Sequence, residues 1–491
     1  MATLDYQGKW KGAELDAQVQ RVADGSVVTD NTDSELSPIS NKPVGNSCVT
    51  AELAKKLSKA DAERDYAKKS DLIAQNVDAW YGIEYDVTVS SPTCTRIGSA
   101  TLHAQLPIHS QMRGCLLSDS GEVMKYLDSR NWTAETRDGT KGQVMVEIPS
   151  YYRMFETSGN KRRVKISTFP LAGYTLVPRM YVSAYEAALD RNTLVLSSVV
   201  NTAAKYRGGD NTSAWDGTYR SLLGMPVTNI PHQNLRTYAR NRNNAQTAEW
   251  NTLTYDVVKS IYWLFVVEYA TLNSQLSYNA ALTSNGYRQG GLGAGVTILD
   301  GAKLSSYNGA NPIIPCGFTD SLGNSTGVKV FNMPTQYADE ATSVYVPRYR
   351  GVENPFGHIN TLMDGCKILI APSAYTDFYT CSNPERYSSY GVTGYAWKAA
   401  LPRVDGYIKS WVFGSDGECI ASALGGTSTT YICDYYYATV PSGTSVETRV
   451  LQWGGNSQSG VLAGLGYTSF GLLPTGAAIN VGTRLCFIPN K

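Results

Sequence analysis

The sequence predicts an α+β protein. Two helical patterns stand in the middle of the chain, at His232–Asn243 and Thr254–Thr271. After Gln275 the chain runs in short β-patterned segments separated by Gly, Asn and Ser. Helices followed by many irregular strands, without a βαβ alternation, place it in α+β rather than α/β. At 491 residues the chain exceeds one ordinary compact domain.

Residues 1–50 lack a core-forming pattern and carry Ser37-Pro38 and Lys42-Pro43, the marks of an extended arm ordered by a partner. Ala51–Leu72 is rich in Ala, Lys, Glu and Leu and helical by propensity. Leu53, Leu57 and Ala60 share a face that Arg64 interrupts. The segment reads either as a solvated linker helix or as a short trimeric coiled coil, so residues 51–80 are assigned as a stalk. A β-rich module is expected over 81–140. Ile83–Val89 alternates, and Gly98–Leu106 and Met112–Met124 form short runs around the Ser118–Gly121 turn. Gln143–Ile148 is the next strand and opens a large domain, 141–491. In the first helix Leu235, Tyr238 and Ala239 keep helical spacing after the Pro231 turn. In the second Val257, Ile261, Leu264, Phe265 and Glu268 keep it, with Asp256 favouring the amino end. The second helix is apolar nearly all round and must be buried.

Composition restricts function. Lys+Arg 43 against Asp+Glu 42 gives a net charge of +1, which speaks against nucleic-acid binding and against a polybasic membrane patch. Charged residues make up 17 %, below the roughly 25 % of an average soluble protein, whereas Tyr is 33 and Gly 45. Such a surface is polar through hydroxyls and amides, as in adhesive proteins and antibody paratopes. Met1–Gly12 has no apolar stretch of the signal-peptide kind, and no run reaches the roughly 20 apolar residues of a membrane span. The nine cysteines are scattered singly without a CxxC, so buried free thiols made in a cytosol are expected.

Catalytic motifs are missing from the sequence. The four histidines, His103, His109, His232 and His358, form no ligand spacing, although His103 and His109 suit one strand face. Gly290–Gly295 lacks the βαβ context of a dinucleotide site, and no GxSxG occurs. Asp364, Asp377, Glu385, Asp405, Asp416, Glu418 and Asp434 supply carboxylates for a glycosidase, but no spacing singles out a pair. No catalytic residue, metal site or cofactor is therefore assigned. The richest signal is aromatic. Tyr375, Phe378, Tyr379, Tyr387, Tyr390, Tyr395 and Trp397 crowd one segment. Tyr431, Tyr435, Tyr436 and Tyr437 crowd another, and Trp453, Tyr467 and Phe470 follow. Tyrosine offers rigid contact area with a wet hydroxyl, and three consecutive tyrosines on a strand must face both ways. The candidate binding residues are Tyr435, Tyr436, Tyr437, Trp453, Asn456, Ser457, Tyr467 and Phe470.

Gln143–Tyr152 (QVMVEIPSYY), Val164–Pro170 (VKISTFP), Gly173 and Tyr181–Glu186 (YVSAYE) occur in order. They are followed by the two helices, Asn273-Ser274-Gln275, Tyr349–Ile359 (YRGVENPFGHI) and the closing Leu462–Phe487 with Gly482-Thr483-Arg484-Leu485-Cys486-Phe487. This series resembles phage structural proteins with a C-type-lectin-like domain of the sulfatase-modifying-factor type. Ser34–Leu53 is similar to a segment near the start of tail-fibre proteins from gut-bacterial phages. The resemblance implies a virion fibre, tail or capsid, assembled in the host bacterial cytoplasm. It implies a homotrimer anchored to other virion proteins through residues 1–50, with a head that binds a bacterial surface glycan or protein non-catalytically. A capsid head fibre or decoration protein is the alternative, and a polysaccharide depolymerase a third. In such proteins the receptor face is built near the carboxy terminus, here Trp453–Phe470. The cysteine pair that holds copper in the formylglycine-generating enzymes of this class has no match here. Asn383-Pro384-Glu385 and Glu353-Asn354-Pro355 are neither of the EPN or QPD triplets of calcium-dependent lectins. In Tyr349–Ile359 itself, Arg350 and Glu353 are spaced to pair across a turn, and with Asn354 they are expected to act as a structural keystone.

Overall fold

The computed structural model describes residues 79–209, 224–243, 247–293, 313–332 and 343–489. The arm over 1–50 and nearly all of the 51–80 stalk lie outside them. Val77–Lys491 forms one compact unit. It is mixed but mostly strands, with three α-helices among the described residues: α1 (Ala100–Gln105), α2 (His232–Arg240) and α3 (Tyr255–Tyr269).

Three sheets enclose α3. The first runs in the order Thr95–Gly98, Tyr81–Asp86, Lys161–Ser167, Tyr151–Ser158, Thr175–Val177. The second runs Trp250–Thr252, Leu485–Phe487, Met180–Ser183, Gln143–Ile148, Arg113–Leu117, Val123–Tyr126. The third has ten strands. Its path is Ala396–Ala400, Thr376–Thr380, Cys366–Ile370, Glu447–Trp453, Thr468–Leu472, Tyr435–Tyr437, Gly406–Phe413, Glu418–Leu424. Asn360–Leu362 pairs beside Glu447–Trp453, and Val481–Thr483 pairs in turn with Asn360–Leu362. One apolar core joins Tyr81 and Ile83 of the first sheet, Val144 and Val146 of the second, Ile368, Phe378, Trp411 and Tyr436 of the third, and α3. A helix surrounded on several sides needs no polar stripe, which accounts for its all-round apolar sequence. Its polar atoms are still met: Trp263 donates through its indole N–H to the Gly417 carbonyl (2.7 Å), and Trp411 donates to the Tyr262 hydroxyl (3.0 Å).

Several expectations match the structure: α2, α3, the strand Gln143–Ile148, and the hairpin on either side of Ser118–Gly121. The eight described cysteines are free and buried. Others are corrected. Gly98–Leu106 is not one strand: Gly98 ends the strand Thr95–Gly98, the Ser99 hydroxyl accepts the Leu102 N–H and caps α1, and Leu106 ends the helix at φ 51°. His103 and His109 accordingly do not share a strand. His103 sits in α1 and His109 in a 3₁₀ turn, and both pack their rings on Tyr81, at 5.4 and 6.0 Å between centroids. The boundary expected at 140 falls inside the sheets. Tyr81–Asp86 pairs with Lys161–Ser167, and Arg113–Leu117 with Gln143–Ile148, so residues 81–140 share hydrogen bonds with the segment that follows.

The Tyr349–Ile359 segment closes the core electrostatically. Arg350, at φ 49°, turns to Glu268 on α3 rather than to Glu353: its Nε lies 3.1 Å from both carboxylate oxygens and its Nη2 2.5 Å from one. Burial would raise Glu268, but the charge of Arg350, aided by His109 and Arg288, holds its carboxyl below the usual range. Glu353 accepts instead from the Gly317 N–H (2.9 Å), the Thr319 N–H (2.6 Å) and the Thr319 hydroxyl (2.7 Å). Arg484 donates to the Glu353 and Asn354 carbonyls, and Asn354 donates to Glu186 (3.3 Å) and meets the His358 ring. The segment is thereby tied to α3, to the turn at 317–319 and to the carboxy-terminal strand.

Candidate functional site

Strand Tyr435–Tyr437 lies in the middle of the third sheet. It runs antiparallel to Gly406–Phe413, with Tyr407 opposite Tyr435, and parallel to Thr468–Leu472, with Tyr437 opposite Ser469. Side chains on a strand alternate, so the three tyrosines divide between two environments. Tyr436 points into the core. Its ring packs 5.4 Å from Phe470, and its hydroxyl donates to the Pro402 carbonyl at 2.8 Å. Tyr435 and Tyr437 point out, and Tyr437 is 46 % exposed.

The outward tyrosines do not stand alone. The Tyr407 ring meets Tyr435 edge to face at 5.2 Å and 88°, the arrangement aromatic quadrupoles favour. Two residues along the same strand face, the ammonium of exposed Lys409 lies 5.3 Å from the centre of the Tyr431 ring. The Asp405 carboxylate accepts the Ala438 N–H (2.9 Å) and fixes the chain leaving the strand. Partial burial, with Asp405 and the neighbouring tyrosines, raises the Tyr435 hydroxyl. Tyr407 is likewise raised by burial. Both phenols are therefore neutral donors and acceptors at neutral pH. The face can stack a ligand on rings and exchange hydrogen bonds with its hydroxyls.

The other six candidates are buried, which corrects their assignment as contacts. Trp453 is fully enclosed and donates its indole N–H to the Leu465 carbonyl (2.6 Å), and Phe470 lies in the core beside Tyr436. Tyr436 is excluded by the strand alternation just described. Asn456 folds the loop after Trp453, its side-chain oxygen accepting the Gln458 N–H at 2.9 Å, and the Ser457 N–H donates to the His358 carbonyl at 3.2 Å. The Tyr467 hydroxyl engages Ser459 and Ser469. Within this loop it is Gln458 and Val461 that reach solvent.

Asp434 shapes the site from below. It is fully buried and accepts the Gly466 N–H at 2.7 Å, while Oδ1 has no partner among the described residues. Burial raises its carboxyl well above the ordinary value and so favours its neutral form. A Cβ on Gly466 would lie 2.8 Å from this carboxyl and 2.9 Å from the Trp411 ring, which is why this loop needs glycine there. Tyr407 and Lys409 were missed in the sequence. Their signal was the alternation Tyr407, Ile408, Lys409, in which the outer two positions flank a core isoleucine.

The earlier aromatic segment divides in the same way. Phe378 is core, and Tyr387 and Tyr395 cluster with Cys381. Trp397, cross-strand from Tyr379, is 57 % exposed, Tyr390 56 %. Among the described residues no group of His, Cys, Asp and Glu is placed to hold a metal ion, and no helix is long and apolar enough to cross a membrane. No protein-family model matches this sequence, and no curated protein matches it.

Proposed function

We propose that this chain is a virion fibre protein whose C-type-lectin-like head binds a bacterial surface glycan or protein without catalysis. The observation that carries the proposal is the division of Tyr435–Tyr437. One ring anchors the core while two, with Tyr407, Lys409 and Tyr431, form an outward aromatic face on a ten-stranded sheet. Sites on strands hold their geometry better than sites on free loops. An exposed face of rings and neutral hydroxyls suits weak contact with sugar rings or an extended polar chain, and several heads on one fibre would multiply that affinity. The face lies on Tyr407–Tyr437, outside the Trp453–Phe470 stretch to which the resemblance assigns receptor contact; it adjoins that stretch through the pairing of Tyr437 with Ser469.

The test is competition. Labelled full-length protein is added to a panel of gut bacteria, and both its binding and the adsorption of a phage carrying it are scored. Saturable binding that blocks adsorption is expected. A folded chain that binds no cell of a strain the phage infects overturns the adhesin proposal and favours a capsid decoration protein.

A further inference from the structure

The second sheet carries a charged cluster at the end of its strands away from the Ser118–Gly121 turn. One row of its register runs Trp250, Phe487, Tyr181, Glu147, Arg113 across five strands. Trp250, Phe487 and Tyr181 are buried, their rings 5.0 and 6.1 Å apart in succession. Glu147 therefore stands at the margin of an apolar layer, and it is itself buried. A carboxylate in that position has to be paired. It is paired twice. Arg113 meets Oε2 at 3.4 Å, and Arg179, in the short link between Thr175–Val177 and Met180–Ser183, meets Oε1 at 3.0 Å. The nitrogen nearest the carboxylate is Nε in both.

One guanidinium would neutralise Glu147. The second leaves the cluster with a surplus positive charge, and neither arginine has another carboxylate within 4.0 Å among the described residues. Asp128, which follows Val123–Tyr126, is turned to its own loop, accepting the Arg130 and Asn131 N–H at 2.7 and 3.1 Å. The arginine side chains are 45 % and 56 % exposed. Both are nevertheless ordered. The guanidinium carbon of Arg113 lies 3.4 Å from the centre of the Tyr126 ring, and Arg179 meets the Tyr181 hydroxyl.

We propose that Arg113, Arg179 and Tyr126 form a second ligand site, which takes the carboxylate of an acidic sugar in a polysaccharide chain. It lies on the second sheet, whereas the Tyr435–Tyr437 face lies on the third, and it does not depend on the adhesin reading. With Nε turned to Glu147, the Nη1–Nη2 edge of each guanidinium is left for a ligand, and that fork matches the plane of a carboxylate. A single negative charge balances the surplus, while Glu147 between the arginines opposes a dianion. This selects a carboxylate over a phosphate monoester. The partly exposed Tyr126 ring beside the charge gives the C–H face of the sugar an apolar contact.

The experiment is isothermal titration calorimetry of the full chain with oligogalacturonate at pH 7, its methyl ester serving as the uncharged control. The wild type is expected to bind the acid and not the ester, more weakly as salt rises. Arg179→Gln should weaken binding at least about tenfold, the loss of one charge-assisted hydrogen bond. Arg179→Lys should recover only part, because it keeps the charge and loses the fork. Arg113→Gln/Glu147→Gln/Arg179→Gln removes the buried acid together with its partners, so it should abolish binding with circular dichroism unchanged. Arg162→Gln, an arginine of the first sheet, should bind as the wild type. A wild type that binds no oligogalacturonate, equal binding of the methyl ester, or full binding by the triple variant each overturns the proposal. Binding of poly(glycerol phosphate) in preference to oligogalacturonate overturns the sugar assignment and makes this a phosphodiester site.

Discussion

Replacing Arg350 by Met tests whether the Tyr349–Ile359 segment holds the core. Glu268 is 1 % exposed and Arg350 meets it with two nitrogens. The substitution leaves a buried carboxylate with only the more distant Arg288, at 3.9 Å, as counter-ion, a change that costs up to about 3–5 kcal/mol. The compact unit is about 415 residues, so its unfolding entropy near 60 °C is roughly 0.9 kcal/mol per degree. The expected fall in Tm is therefore up to about 3–6 °C. Adding Glu268→Gln removes the poorly paired charge, and the double variant should recover at least half of the loss. Differential scanning calorimetry at pH 7, at several scan rates, measures all three proteins. A fall below about 1 °C for Arg350→Met, or a double variant no better than the single, would refute the claim that this pair ties the segment to α3.

Three further predictions concern stability. His109, His232 and His358 are buried, and burial lowers them to about 4, 4 and 3. Their contribution is complete above the unfolded pKa near 6.5 and is lost as pH falls toward 4, so Tm should drop across that window. His358→Gln should shallow the acid limb by up to about 1.4 kcal/mol per pH unit, and an unchanged slope would remove His358 from the account. Asp434 has the opposite sign: its raised carboxyl contributes stability that is full below about pH 4 and lost as pH rises through the folded value. Asp434→Asn should therefore gain on the wild type as pH rises from 4 to 9 in urea titrations, and a constant difference would contradict a neutral buried acid. Gly466→Ala drives a methyl group against Asp434 and Trp411 and should cost about 1–3 kcal/mol, read as a lower urea midpoint. A variant as stable as the wild type would show that the loop has room.

The parts of this fold that follow from local pattern were legible. Val257, Ile261, Leu264 and Phe265 announce α3 because 3.6-residue spacing is a property of the segment itself. The same holds for Gln143–Ile148, whose six positions are all buried. Gly98–Leu106 was misassigned because a six-residue helix has too few turns to show a period, and only Ser99 marks its start. Arg350 was given the nearest acid in sequence, Glu353, whereas its partner Glu268 is 82 positions away and is brought there by the packing of α3. At the site, alternation across Tyr435–Tyr437 was readable, but not which ring faces out, since that depends on which side of the sheet carries α3. Trp453 and Phe470 carry the same aromatic signal as a surface contact, and only their depth in the sheet separates the two.

The central claim is that the outward face around Tyr437 makes the contact with a bacterial surface. Its most direct measurement is the affinity of full-length Tyr437→Ala and Tyr407→Ala for a strain that binds the wild type, with Val89→Ala as an exposed control. If the face is the hot spot, each tyrosine variant loses about 1–3 kcal/mol of binding, a weakening of roughly 5- to 150-fold, while folding and the control are unaffected. Wild-type affinity in both tyrosine variants would contradict the claim and move the contact off this face.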